Sequence, residues 1–182
     1  MDKTLIQLLE KAKQFHLLGK LSEAQKIYLS LIKKNKNNGQ LYFLLGTSFL
    51  QNKKYDLAIK NLDISIKLNP KVSDSYNNMG IALAEIGDYE NAIKNYNETL
   101  NLNINHPDAY VNKAIALKNL KLFEQSQECF EVAIRSNDKN FKAYNGLGNL
   151  YKELNKIPLS LENYDLALKI NPNYSDALSN KG

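Results

Sequence analysis

The chain repeats itself every 34 residues from Leu5 to Tyr174, and this period constrains its fold more than any single residue does. Five copies follow one another at 5–38, 39–72, 73–106, 107–140 and 141–174, with no insertion or deletion between them. The fourth position reads Leu8, Tyr42, Tyr76, Tyr110 and Tyr144, and the eighth reads Ala12, Gly46, Gly80, Ala114 and Gly148. Bulky residues recur at the eleventh position, namely Phe15, Phe49, Leu83, Leu117 and Tyr151, and at the seventeenth, Leu21, Tyr55, Tyr89, Phe123 and Ile157. Small residues return at the twentieth (Ala24, Ala58, Ala92, Ser126, Ser160) and large ones at the twenty-fourth (Tyr28, Leu62, Tyr96, Phe130, Tyr164). Spacings of three, four and seven are the helical period, and a loop is expected between the halves at Gly19, Lys53, Gly87, Lys121 and Asn155. Each copy therefore reads as two antiparallel helices whose small positions let the backbones approach.

One such pair cannot bury its apolar face alone, so stability comes from stacking neighbours, and the ends need polar treatment. Gln7 and Lys11 give copy one that character. Ser175 to Gly182 restart the pattern, with Leu178 and Gly182 at positions four and eight of a sixth copy. This stretch reads either as a truncated sixth repeat, which makes the chain the amino-terminal piece of something longer, or as a short capping helix.

In period, in the large residue at position 4, in small residues at 8 and 20, in bulky ones at 11, 17 and 24, and in Pro70 and Pro172 near position 32, the chain resembles the tetratricopeptide repeat family. Lys36, Ile104 and Asp138 depart from that proline, and Lys11 stands where a leucine is usual. The resemblance implies an all-α, right-handed solenoid forming one domain over 1–182, and a habit of binding other proteins.

Other function classes find less in the residues. Of 24 basic residues only Arg135 is arginine, and the lysines are spread over every copy, so no guanidinium-lined stripe suits nucleic acid. No apolar run is long enough to span a bilayer, and the charged amphipathic start from Met1 to Lys13 is not a secretory signal. The single cysteine, Cys129, reads as a core or boundary thiol, which fits a reducing, cytoplasmic setting. His16 and His106 lie three copies apart and cannot converge with Cys129, and metal-ligand spacings are absent, so neither an enzyme nor a cofactor is expected. His106 reads as a helix-entry residue ahead of Pro107. Gly146 and Gly148 read as small packing positions inside a helix, not as a phosphate loop.

What remains is the surface made by the first helix of each pair. Positions 2, 5, 6, 9, 12 and 13 are expected to line a groove, and the candidate binding residues are Leu9, Phe43, Leu44, Thr47, Asn77, Asn78, Ile81, Asn112, Ile115, Asn145 and Asn149. Its amino-terminal half is apolar and its carboxy-terminal half rich in amides. A carboxamide both donates and accepts, so the asparagines suit the backbone of an extended peptide, while Phe43 and Leu44 suit an apolar anchor. Asn78, Asn112 and Asn180 at position 6 resemble the ladder with which O-linked N-acetylglucosamine transferases hold substrate chains. The chaperone-tail clamp of other family members matches only at Asn112 and Lys142; Asn77, Ile81 and Gly146 depart from it. The expected function is a scaffold for a protein or peptide partner. Two other readings stand beside it: substrate presentation for a larger enzyme such as a glycosyltransferase or sulfotransferase, and self-assembly, for which the apolar first groove would suit contact between copies.

Overall fold

A computed structural model describes residues 3–182, and among these it contains eleven α-helices and no strand. Met1 and Asp2, where the charged helix was expected to begin, lie outside the described residues. The helices are α1 (Lys3–Leu17), α2 (Leu21–Lys34), α3 (Gly39–Gln51), α4 (Tyr55–Leu68), α5 (Ser73–Glu85), α6 (Tyr89–Leu102), α7 (Ala109–Asn119), α8 (Phe123–Ser136), α9 (Phe141–Glu153), α10 (Ile157–Ile170) and α11 (Ser175–Lys181). Two helices fall in each 34-residue copy, as the columns require.

The turn inside each copy has one geometry, set at a single position. Gly19, Lys53, Gly87, Lys121 and Asn155 all have positive φ, between 55° and 84°. Glycine adopts this region freely and asparagine tolerates it, whereas the two lysines carry strain there. The turns between copies are also alike. Asn35, Asn69, Asn137 and Asn171 end their helices with extended φ near −129° to −152°. Pro70 and Pro172 restrict the residue before them to such values, yet Lys36 and Asp138 follow the same geometry without that aid. One helix start differs from the expected register: Pro107 and Asp108 form a turn, and α7 starts only at Ala109, so Pro107 stands outside the helix that it was expected to open.

Close packing divides the chain into two units, one ending at Glu98 and one beginning at Thr99. In the first, α1 packs on α2, α2 on α3, α3 on α4 and α4 on α5. Its core holds Ala12, Ala24, Tyr28, Leu45, Phe49, Ala58, Leu62, Met79 and Ala82. The small-to-large pairing of positions 8 and 24 is its central device. A methyl group on Gly46 would stand 2.8 Å from Leu62 Cγ, and one on Gly80 2.5 Å from Tyr96 Cε1. In the second unit α7, α8, α9, α10 and α11 pack in sequence, with α7 and α11 also touching α9. There Gly148 makes room for Tyr164, at 2.6 Å from the same hypothetical methyl. Cys129 is buried in this unit, and burial raises its thiol pKa, so it behaves as a small apolar residue.

Candidate functional site

Each unit carries a hollow on the face made by its first helices. In the amino-terminal unit the hollow measures about 510 Å³ and is lined by Lys13, His16, Leu17, Gly19, Tyr28, Leu44, Thr47 and Gln51. Leu44 and Thr47 were expected there. Phe43 and Leu9 are instead half-buried against the core cluster, and Leu9 faces a separate small recess with Leu5, Leu31, Asn35, Asn38 and Leu41. Asn77 is buried and Ile81 half-buried, and neither lines the hollow. Asn78 reaches across to the preceding copy, donating from Nδ2 to Thr47 Oγ1 at 3.0 Å.

His16 stands at one of the expected inner positions, the twelfth of copy one, and forms part of this wall. Its Nδ1 lies 3.3 Å from the Tyr28 hydroxyl, and the two rings meet edge to face at 6.0 Å. Its Nε2 is sealed from solvent without a partner among the described residues. Burial lowers the imidazole pKa, and the Gln51 side chain is near enough to oppose that shift without completing a bond to Nε2.

The carboxy-terminal unit has a hollow of about 350 Å³ with a different chemistry. It gathers four of the expected residues, Asn112, Ile115, Asn145 and Asn149, together with Val111, Lys118, Lys142 and Gly146 from the same inner positions. Phe130, Tyr174 and Asp176 complete it and were not foreseen. Phe130 forms the floor because Gly146 leaves the space for it: a methyl there would meet Phe130 Cε1 at 2.3 Å. The sequence signal was the second glycine in Asn145-Gly146-Leu147-Gly148-Asn149, since only Gly148 occupies a column that is small in every copy.

The lysines around this hollow are already paired. Lys118 pairs with Glu153 at 3.2 Å, Lys121 reaches the other oxygen of the same carboxylate, and Lys142 pairs with Asp108 at 3.1 Å. Hydrogen bonding from Lys121 is the largest cause holding the Glu153 carboxyl below its usual range, despite an opposing desolvation effect. The amides are partly used as well. Asn180 Nδ2 donates to Asn145 Oδ1 at 3.1 Å, and the Tyr164 hydroxyl donates to Asn149 Oδ1 at 2.7 Å. Among the described residues no cluster of three or more His, Cys, Asp or Glu side chains could hold a metal, and no helix is long and apolar enough to cross a membrane.

Tetratricopeptide-repeat family profiles match residues 18–73 and 43–110, then 107–140 and 141–174. The chain belongs to the tetratricopeptide repeat family. Among solved structures, MamA from Desulfovibrio magneticus superposes with a TM-score of 0.84 at 16% identity, covering 96% of this chain and 99% of that one. TTC0263, a thermophilic tetratricopeptide protein of Thermus thermophilus, gives 0.80 at 16% identity with 97% and 96% covered. YrrB, described as a tetratricopeptide protein with an unusual peptide-binding site, gives 0.75 at 18% identity with 96% and 90% covered. These likenesses establish the α-solenoid fold class that the repeat columns imply. No curated protein matches the sequence.

Proposed function

We propose that this tetratricopeptide protein is an interaction module that holds an extended segment of a partner protein against its first helices. The observation that carries this reading is the carboxy-terminal hollow, where three asparagines and an exposed isoleucine from the expected inner positions come together over an aromatic floor. Amides address a main chain with little regard to its side chains, and Ile115, 42% exposed, supplies apolar contact. The amino-terminal hollow serves the same guest class with more apolar walls, Leu44 being the anchor and Phe43 the packing behind it. The peptide-binding site of YrrB, on the same fold, supports the reading.

The test is selection of 12-residue peptides from a random phage-displayed library on the wild-type protein, followed by calorimetry of a synthetic winner. Ile115→Lys places a charge in the hollow and is expected to weaken binding at least tenfold. Unchanged affinity in Ile115→Lys and in Leu44→Lys alike would refute the reading.

A second reading, association between copies, draws on Leu17 and Leu18, which are 88% and 71% exposed beside the amino-terminal hollow. Sedimentation over a hundredfold concentration range decides it: a mass that stays monomeric in wild type removes this reading, and a dimer that Leu17→Ser abolishes supports it.

A further inference from the structure

Two carboxamides on α9, Asn145 and Asn149, sit one helical turn apart in the carboxy-terminal hollow, and both have their oxygen committed. Asn180 of α11 donates to Asn145 Oδ1, and Tyr164 of α10 donates to Asn149 Oδ1. Among the described residues neither Nδ2 group has a partner, and neither is sealed, since the one buried side-chain nitrogen or oxygen lacking a partner is His16 Nε2. An amide whose oxygen is engaged inward has only its N–H groups left for a guest. The ammonium groups of Lys118 and Lys142 are bonded to Glu153 and Asp108, so they add little pull for a free carboxylate. The hollow therefore offers neutral donors in excess.

We propose that Asn145 and Asn149 act on a bound peptide purely as donors, each taking one main-chain carbonyl, with Asn180 and Tyr164 as the positioning residues that fix this polarity. The inference rests on the peptide-holding reading of the same hollow and adds the polarity and register of the guest's contacts. Four residues along a helix rise about 6 Å. Carbonyls two residues apart on one side of an extended chain are separated by about 7 Å. The two spacings agree within about 1 Å, so the guest lies extended along α9 and offers alternate carbonyls, with no requirement on the side chains between them. Asp176, which also lines the hollow, accepts from Ser175 Oγ at 3.4 Å through Oδ1 and adds a carboxylate that a donor of the guest can share.

The experiment uses the library-selected 12-residue peptide and a series in which each main-chain carbonyl in turn becomes a thioamide, a poor acceptor that keeps its N–H. Two positions, two residues apart, are expected to lose about five- to tenfold in affinity for the wild-type protein. Asn149→Asp keeps an acceptor for Tyr164 but loses the Nδ2 donor. It is expected to weaken the parent peptide by a similar factor and to abolish the penalty at one of the two thioamides, a coupling that mere loss of structure would not produce. Asn145→Asp is expected to abolish the other. A flat thioamide scan, or tighter binding by Asn149→Asp, while Ile115→Lys still abolishes binding, overturns the donor assignment and leaves the groove reading intact. Indifference to Ile115→Lys alone overturns the donor assignment, and absence of any selected peptide, or indifference to Ile115→Lys and Leu44→Lys alike, overturns both.

Discussion

Gly146→Ala is the substitution whose cost follows most directly from the structure. The added methyl would lie 2.3 Å from Phe130 Cε1, 2.5 Å from Cζ and 3.1 Å from Cδ1. Ordinary carbon contacts are about 3.5–4.0 Å, so the overlap exceeds about 1 Å. Phe130 is fully buried, and its Cε1, Cζ and Cδ1 would all have to give way. Overpacking of this kind costs about 1–3 kcal/mol, and contact with three ring carbons at once puts it near the top of that range. Alanine returns about 1 kcal/mol in helix propensity because position 146 is inside α9. The net expectation is a loss of about 2 kcal/mol, which lowers the melting temperature by roughly 4–8 °C for a chain of this size. Urea denaturation followed by circular dichroism at 222 nm measures it. Adding Phe130→Leu to the variant should recover more than about 1 kcal/mol relative to the sum of the two single losses. A Gly146→Ala protein as stable as wild type would refute the reasoning, because propensity would then outweigh the clash.

Two further outcomes follow from local geometry and titration. Lys53→Gly removes a side chain from a backbone with φ of 55°, and the relief of roughly 1 kcal/mol, partly offset by greater unfolded-state freedom, should leave the urea midpoint equal or higher; a clear drop contradicts the strain. The His16 pKa is lowered on folding, so the unfolded chain binds the extra proton. The stability His16 contributes is therefore present above its ordinary value of 6.5 and is lost as pH falls through 6.5 toward the folded pKa. The urea midpoint should fall between pH 7.5 and 5.5, and His16→Gln should flatten that part of the profile.

The repeat columns made the helices, their pairing and the loop position in every hairpin legible, because each depends on a local period. Eight residues at the inner positions they marked line one hollow, four of them named candidates. What they hid was set by neighbours about a full copy away. Whether Asn78 faces a guest or Thr47 depends on a contact across 31 positions, and whether Asn145 has a free oxygen depends on Asn180, 35 positions on. Leu9 shares a column with Asn145 but turns to another recess, since the same position meets different side chains in different copies. Phe130 was hidden for a related reason: a position-24 ring reads as core, and it becomes a floor only where the copy after it has a glycine at position 6.

That last relation bears on how such a face changes function without changing fold. The glycine that admits Phe130 removes the position-6 amide from copy five, so the copy with the aromatic floor gives up one polar arm. Its polar work passes to Asn145 and Asn149, whose oxygens are held from α11 and α10 respectively. The inner face is thus not a row of equivalent amides. In the amino-terminal unit Asn78 spends its N–H on Thr47, which leaves its oxygen as the group to offer, whereas α9 offers N–H groups. Within the carboxy-terminal unit, two donors one helical turn apart on α9 select guest carbonyls two residues apart and place no demand on the side chains between them.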